Sequence, residues 1–254
     1  MPERSWSRRA LLFGSGAAVG VAATSGWKWR LPNRTAPPAG LDQEELVELR
    51  LPPEPGPDEA LERLINGNKC YAADYHQIGE ERRHQTSRLA VAERQTPFAL
   101  VLGCADSRVP PEILFNTGLG DLFVVRVAGN IVDQRCFSVI GSIEYAIEEL
   151  KIPLIFVLGH EQCGAVKAAI RVVREKIELP GAIDLIADSI RPVVEEVATV
   201  PGDLTSHAVT ANVRRSLKEL STSVPILQEP IAAGRLKIIG GTYDLKTGLV
   251  KVLT

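Results

Sequence analysis

The sequence predicts an α/β fold with a mostly parallel central β-sheet flanked by helices. Four short runs rich in Val, Ile, Leu or Phe are each followed by glycine or a polar residue. These candidate strands cover residues 97–103, 122–129, 153–160 and 235–245. Near-continuous apolar strands that alternate with helical segments are typical of parallel sheets covered on both faces.

Three segments of the sequence have helical spacing. The first begins near Asp58, a candidate N-cap, and places Leu61 and Leu64 on one face. The second covers residues 138–150, between the second and third strands, and the third covers 163–176, directly after the third strand. These segments supply helices that can cover the predicted sheet.

Composition indicates a globular domain and argues against one class of partner. The chain has 254 residues, which suits one domain of about 200 residues with extensions. The formal net charge is −2 and aromatic residues make up 5%, with no long basic block. Nucleic-acid binding needs clustered positive charge or aromatic stacking surfaces, so we expect no nucleic-acid partner.

The first thirty residues have the features of an export signal. The arginine pair in Ser7-Arg8-Arg9 precedes a short stretch of small and apolar residues, which resembles a twin-arginine signal. The stretch is short for a membrane span, which needs about 20 residues. We therefore expect export to the periplasm or an equivalent compartment. An uncleaved membrane anchor and a disordered basic tail are the alternatives.

A linker separates this signal from the globular domain. Residues 31–57 are rich in proline and predict a linker with one short helix at Gln43–Arg50. The globular domain is then predicted over residues 58–254.

Thiol and imidazole side chains follow two of the predicted strands. Cys104 comes directly after the first, and His160 and Cys163 come after the third. The carboxyl ends of parallel strands meet at one edge of a sheet, where ligands bind in such folds. A Cys₂His set is typical of zinc, and three protein ligands leave a fourth position open. The sequence therefore predicts a zinc site at this edge.

Disulfides are the other interpretation of four cysteines in an exported protein. Cys163 opens a predicted helix, where the backbone dipole favours a thiolate, and this argues for a metal ligand. Cys70 and Cys136 have no metal-like neighbours and are expected to be packing residues or free thiols.

The order Cys104-x-Asp106-x-Arg108 followed by His160-x-x-Cys163 resembles the signature of the β-class carbonic anhydrases. The resemblance extends over most of residues 58–254. It includes GDLFVVRVAGN (120–130), GSIEY (141–145) and GGTYDLKTG (240–248). The chain departs from many relatives at Arg126-Val127, where they have Arg-Asn.

This resemblance implies an enzyme that reversibly hydrates CO₂ to bicarbonate and a proton. Cys104, His160 and Cys163 would bind one Zn²⁺ per subunit. Arg108 would hold the carboxylate of Asp106 away from the metal, leaving Asp106 free to accept a proton. If that ion pair breaks, Asp106 would become an exchangeable fourth ligand in a closed, inactive state.

The resemblance also implies a substrate pocket and an oligomer. Gln95 matches a pocket glutamine whose amide can bind a substrate oxygen, and Phe123 and Tyr145 match aromatic wall residues suited to CO₂. Core packing for the two aromatic residues and a solvated loop for Gln95 are the alternatives. Relatives pair into dimers and larger assemblies, so a homodimer or higher homo-oligomer is expected.

Two other functions fit the same residues. One is hydrolysis of a CO₂ analogue such as CS₂ or COS on the same fold. The other is a zinc-binding or redox-sensing protein with a closed site, which predicts no role for Asp106 and Arg108.

Overall fold

The computed structural model of the protein describes residues 55–74, 91–133 and 136–253. The predicted export signal (1–30), most of the linker (31–57) and the helix at Gln43–Arg50 lie outside these ranges. The signal, the linker and the domain boundaries therefore stay predictions. No helix of the described residues combines the length and apolar character that crossing a membrane requires.

A five-stranded sheet forms the centre of the described fold. Its strands in chain order are β1 (Ala99–Cys104), β2 (Leu122–Val127), β3 (Leu154–His160), β4 (Lys237–Tyr243) and β5 (Val250–Leu253). Their order in space is β2-β1-β3-β4-β5, and only the pair β4 and β5 is antiparallel. The four predicted strands and the mostly parallel sheet are confirmed, whereas β5 was not predicted.

Helices flank this sheet. They are α1 (Pro57–Ala72), α2 (Pro111–Leu114), α3 (Phe137–Glu148), α4 (Gly164–Glu175), α5 (Ala182–Val197), α6 (Leu204–Ser223) and α7 (Gln228–Ala232), with short 3₁₀ turns at Ala128–Asn130 and Pro225–Leu227. The three predicted helices correspond to α1, α3 and α4. The prediction missed α5, α6 and the short helices.

The predicted N-cap of the first helix is wrong. Helix α1 begins at Pro57, and Gly56 occupies the N-cap position without a side-chain hydrogen bond. Proline suits the first helical position because its φ is already helical. Its lack of an N–H costs no hydrogen bond there, since an N–H at that position has no partner within the helix. Asp58 lies inside the first turn, where its charge favours the helix dipole, and it pairs with Lys237 of β4.

The sheet is buried on both faces, as its continuous apolar strands predicted. Along β1, Val101 belongs to one core cluster and Leu102 to the other. Along β3, Phe156 and Val157 alternate in the same way. Helices α1, α4 and α5 contribute to the first cluster and α3 to the second, while α6 contributes to both.

Glycines let α6 approach the strands that lead into the site. A Cβ atom at Gly159 would lie 2.5 Å from Cγ2 of Val213, and one at Gly240 would lie 2.6 Å from its Cγ1. Any larger residue at either position would push α6 away from β3 and β4. Gly159 immediately precedes His160, so this close packing fixes the end of β3.

The side-chain amide of Asn68 joins α1 to distant parts of the chain. Its Nδ2 donates to the carbonyl oxygens of Leu114 at 3.0 Å and of Gly248 at 2.9 Å. Its Oδ1 accepts from the N–H of Val250 at 2.7 Å. This buried side chain thereby connects α1, the end of α2 and the β4–β5 hairpin.

Candidate metal centre and active site

The carboxyl ends of β1 and β3 bring three candidate ligands together. Cys104 ends β1, His160 ends β3, and Cys163 directly precedes α4. The strands are parallel neighbours in which Gly103 pairs with Leu158, so both chains emerge at the same edge. This juxtaposition is the one the sequence predicted.

The three ligand atoms form a compact, buried group. The two sulfur atoms are 4.0 Å apart, and all three ligand atoms lie within 4.8 Å of one another. Cys104, His160 and Cys163 are 4%, 0% and 1% exposed. Two sulfur atoms on one tetrahedral zinc ion, each bound at about 2.3 Å, are about 3.8 Å apart, so the observed spacing fits such an ion.

The imidazole of His160 has one nitrogen, Nε2, without a hydrogen-bond partner among the described residues. Its Nδ1 lies 2.8 Å from the carbonyl oxygen of Glu161, which can only accept, so Nδ1 carries the proton. Nε2 is buried and has no hydrogen-bond partner among the described residues. Metal-binding histidines have this arrangement, with one nitrogen held by a carbonyl and the other free for the metal.

Hydrogen bonds favour a thiolate at Cys104. Its Sγ lies 4.0 Å from that of Cys163, and the backbone N–H groups of Gly129 and Asp106 lie 3.3 and 3.4 Å from it. Hydrogen bonding with the neighbouring Cys163 and with these N–H groups lowers the pKa of Cys104, although burial opposes the shift.

The second thiol of the pair has the opposite shift. The neighbouring Cys104 sulfur and burial both raise the pKa of Cys163, although backbone N–H groups at the start of α4 act against this. A metal ion bound here would displace the protons of its thiol ligands.

Asp106 and Arg108 form a bidentate ion pair beside the ligands. Nε of Arg108 donates to Oδ1 of Asp106 at 2.9 Å, and its terminal Nη2 donates to Oδ2 at 2.7 Å. The Arg108 backbone N–H also reaches Oδ1 at 3.0 Å. The guanidinium holds the pKa of the Asp106 carboxyl well below its usual range. Asp106 is therefore held as a carboxylate, and its Oδ2 lies 4.0 Å from Nε2 of His160.

The predicted substrate residues are not brought together with the candidate ligands in the single chain. Phe123 and Tyr145 pack together with ring centroids 6.2 Å apart. Phe123 pairs with Leu100, four residues before Cys104, which places it about 13 Å back along the strands. Gln95 is exposed and precedes the amino end of β1. The single chain thus does not bring these three residues to the metal ligands, and their role stays a prediction.

The other two cysteines lie outside the group of candidate ligands. Cys70 and Cys136 are half-buried free thiols, and no cysteine forms a disulfide.

The sequence analysis missed the role of Gly129, whose N–H contacts Cys104. Gly129 has φ +75°, and a Cβ there would lie 2.8 Å from Ile190 and 3.0 Å from Ala165. The signal available in the sequence was a glycine two residues after the end of β2, the strand that pairs with the Cys104-bearing β1.

Comparison with known proteins identifies the family. A family model described as carbonic anhydrase matches residues 99–250. A carbonic anhydrase of Mycolicibacterium smegmatis is 36% identical over 203 residues, which cover 79% of this chain and 95% of that protein.

Solved structures agree with this match. The β-carbonic anhydrase of Coccomyxa in complex with acetazolamide is 33% identical, with a TM-score of 0.60, 75% of this chain covered and 84% of that one. A tetrameric β-carbonic anhydrase of the ascomycete Sordaria macrospora is 26% identical, with a TM-score of 0.59 and 77% and 97% covered. The chain therefore belongs to the carbonic anhydrase family, in its β class.

Proposed function

We propose that this carbonic anhydrase hydrates CO₂ reversibly through a zinc ion held by Cys104, His160 and Cys163, with Asp106 as the proton acceptor. The observation that carries the proposal is the bare, buried Nε2 of His160 facing two sulfur atoms 4.0 Å apart. When bound, zinc supplies Lewis acidity that lowers the pKa of a coordinated water to about 7. The three ligands leave its fourth position open for that chemistry.

Asp106 accepts the proton, and Arg108 keeps the open coordination position accessible. The ionised carboxylate of Asp106 accepts a proton near the metal ligands. Arg108 directs both carboxylate oxygens towards itself and so keeps the open position accessible. The Asp106 side chain is itself 18% exposed, so the proton it accepts lies close to solvent. A closed site that only senses zinc or redox state has no use for this ion pair.

Asp106 also acts as an exchangeable fourth ligand. Its Oδ2 is 4.0 Å from Nε2 of His160, so rotation of one side chain away from Arg108 brings the carboxylate into the ligand group. The closed state is inactive because the carboxylate then fills the position that the reaction needs.

The zinc ligands are tested with serine variants of the cysteines. We expect Cys163→Ser and Cys104→Ser to lose stoichiometric zinc and CO₂ hydration in stopped-flow assays. Cys136→Ser is the matched control, since this half-buried thiol lies outside the ligand group, and it should retain both. Full zinc content in the Cys163 variant would exclude the proposed ligand set.

A second copy of the chain supplies Gln95, Phe123 and Tyr145. Phe123 lies on the edge strand β2 and packs against Tyr145, which is 48% exposed. Phe137, on the same helix as Tyr145, is 83% exposed. Exposed apolar clusters of this kind mark interfaces. The related Sordaria enzymes are tetrameric, which supports a homodimer or higher homo-oligomer.

Mixed oligomers test this assignment. A His160→Ala copy keeps the pocket residues and loses the metal, whereas a Phe123→Ser/Tyr145→Ser copy keeps the metal and loses the pocket. Co-expression should restore hydration above the activity of either variant alone. Mixed dimers with no gain in activity would show that each chain builds its own pocket.

Residues 1–30 direct the folded enzyme out of the cytoplasm. The Ser7-Arg8-Arg9 sequence before a short apolar stretch supports a twin-arginine route, which carries folded proteins. Zinc binding in the reducing cytoplasm would then protect the ligand thiols from oxidation after export. Cell fractionation should find the Arg8→Lys/Arg9→Lys variant in the cytoplasm. Unchanged export of that variant would exclude this route.

A further inference from the structure

Arg126, on β2, contacts the backbone of the loop that carries the first ligand and the base. Its Nε donates to the carbonyl oxygen of Cys104 at 2.8 Å, and its Nη2 donates to that of Asp106 at 2.5 Å. One guanidinium therefore binds the main chain at both functional residues of the loop. The residue paired with Arg126 on β1 is Gly103, which has no side chain to obstruct this approach.

Other contacts from the end of β2 fix the same loop. The N–H of Ala105 donates to the carbonyl oxygen of Val127 at 3.2 Å, which extends the β1–β2 ladder past the strand end. The Asp106 carbonyl also accepts from the N–H of Val109 at 3.2 Å. With the Arg126 bonds in place, the Cys104–Ala105 and Asp106–Ser107 peptide units are held, while the side chain of Asp106 keeps its freedom to rotate.

The charge of Arg126 is directed at these carbonyls and not at an acidic side chain. No carboxylate within the described ranges forms an ion pair with it. The partly buried guanidinium of Arg126 is therefore committed to the backbone of this loop.

We propose that Arg126 is a positioning residue for the hydration reaction. It fixes the loop backbone so that the Cys104 sulfur and the Asp106 carboxylate keep their separation while Asp106 moves between Arg108 and the ligand group. The inference rests on the proposed zinc ligands and base. Lysine would be a poor substitute, because a single ammonium group lacks the planar fork that reaches two carbonyls at once.

The test compares Arg126→Gln with Arg215→Gln. Arg215 on α6 makes a similar bond, from its Nη1 to the carbonyl oxygen of Ser189 at 2.5 Å, but far along the chain from the ligand loop. Both variants lose an arginine-to-carbonyl bond, so both should melt at lower temperature than the wild type. Only Arg126→Gln should lose kcat/KM, by about 10- to 100-fold, since a displacement of about 1 Å at a reacting group costs about that much.

A metal-based readout separates positioning from general loss of stability. Cobalt replaces zinc in such sites, and its visible absorption reports ligand geometry. We expect the cobalt spectrum to change in Arg126→Gln and to stay as in the wild type in Arg215→Gln. We also expect zinc to pass to a chelating dye faster from Arg126→Gln. An unchanged spectrum with kcat/KM no lower than in Arg215→Gln would overturn the inference.

Arg126→Lys decides the outcome if Arg126→Gln does not fold. Lysine keeps the charge but has a single donor nitrogen. A reduced kcat/KM with a shifted cobalt spectrum in this variant supports positioning, and wild-type values for both overturn the inference. Failure here is distinguishable from failure of the proposed function. Stoichiometric zinc in Cys163→Ser would reject the ligand set whatever the Arg126 variants do.

Discussion

Arg108 binds the carboxylate of Asp106 through both oxygens, and the carboxylate oxygen it holds through Nη2 is 4.0 Å from Nε2 of His160. The proposed base, Asp106, is therefore next to the proposed ligands and is at the same time hydrogen-bonded to a group outside them. Both residues come from one short loop after β1, so the geometry of that loop determines how the site works.

Asp106→Asn should remove most of the CO₂ hydration and leave zinc bound. Asparagine has nearly the same shape but accepts no proton, and general-base catalysis contributes about 10²- to 10⁴-fold. Stopped-flow assays with metal analysis measure both quantities. Asp188→Asn is the control, since Asp188 pairs with Arg191 at the surface and should keep wild-type activity. Full hydratase activity in Asp106→Asn would reject this base.

Arg108→Gln should lower kcat/KM without lowering zinc content. Without the guanidinium, the carboxylate of Asp106 is free to enter the ligand group and occupy the open position. We therefore expect slower zinc transfer to a chelator together with slower hydration. Faster zinc loss would show that Arg108 stabilises the metal and does not keep Asp106 away from it.

Gly67→Ala should destabilise the fold strongly. A Cβ at Gly67 would lie 1.9 Å from the carbonyl oxygen of Phe115, which is backbone and cannot rotate away. Overpacking of this kind costs about 1–3 kcal/mol or more. The matched control is Gly141→Ala in the interior of α3, where nothing lies within 4 Å of the added Cβ. Urea unfolding should find the control as stable as the wild type or more so. Equal stability of the two variants would contradict the packing argument.

Asp244→Asn should change how stability depends on pH. The backbone N–H groups of Thr247 and Lys246 donate to the Asp244 carboxylate and hold its pKa below its usual range. A lowered pKa stabilises the fold above the unfolded value of about 3.9, and this contribution is lost as pH falls through the folded pKa. The wild type should exceed the variant in stability from pH 7 to pH 5, with a difference that shrinks towards pH 3. A difference independent of pH would exclude this origin.

The ligand set was predictable because parallel strands end at one edge. Cys104 and His160 each terminate an apolar run, and that position alone places them side by side in a parallel sheet. Strand β5 was missed because it has four residues and follows a tight turn. Helix α5 contains Pro192, which breaks the pattern by which helices are recognised.

Contacts to the main chain were not predictable. The partners of Arg126 are two carbonyl oxygens, which every residue has, so nothing in the residue types marks them. The position of Phe123 relative to Cys104 depends on strand register, which the motif does not contain. Sequence therefore indicated which candidate groups meet at the sheet edge, and the structure was needed to find what holds them in place.

The three hydrogen bonds of the Asn68 amide have a consequence for the order of folding. Two of them reach residues 180 and 182 positions later in the chain. Contacts so distant in sequence form late, because a long loop must close first. Helix α1 is among the first described segments to leave the ribosome, yet its Asn68 amide has its full set of partners only after Val250 has been synthesised. The packing of α1 is therefore completed late in folding, and a chain truncated ahead of Gly248 would leave the buried amide without two of its three partners.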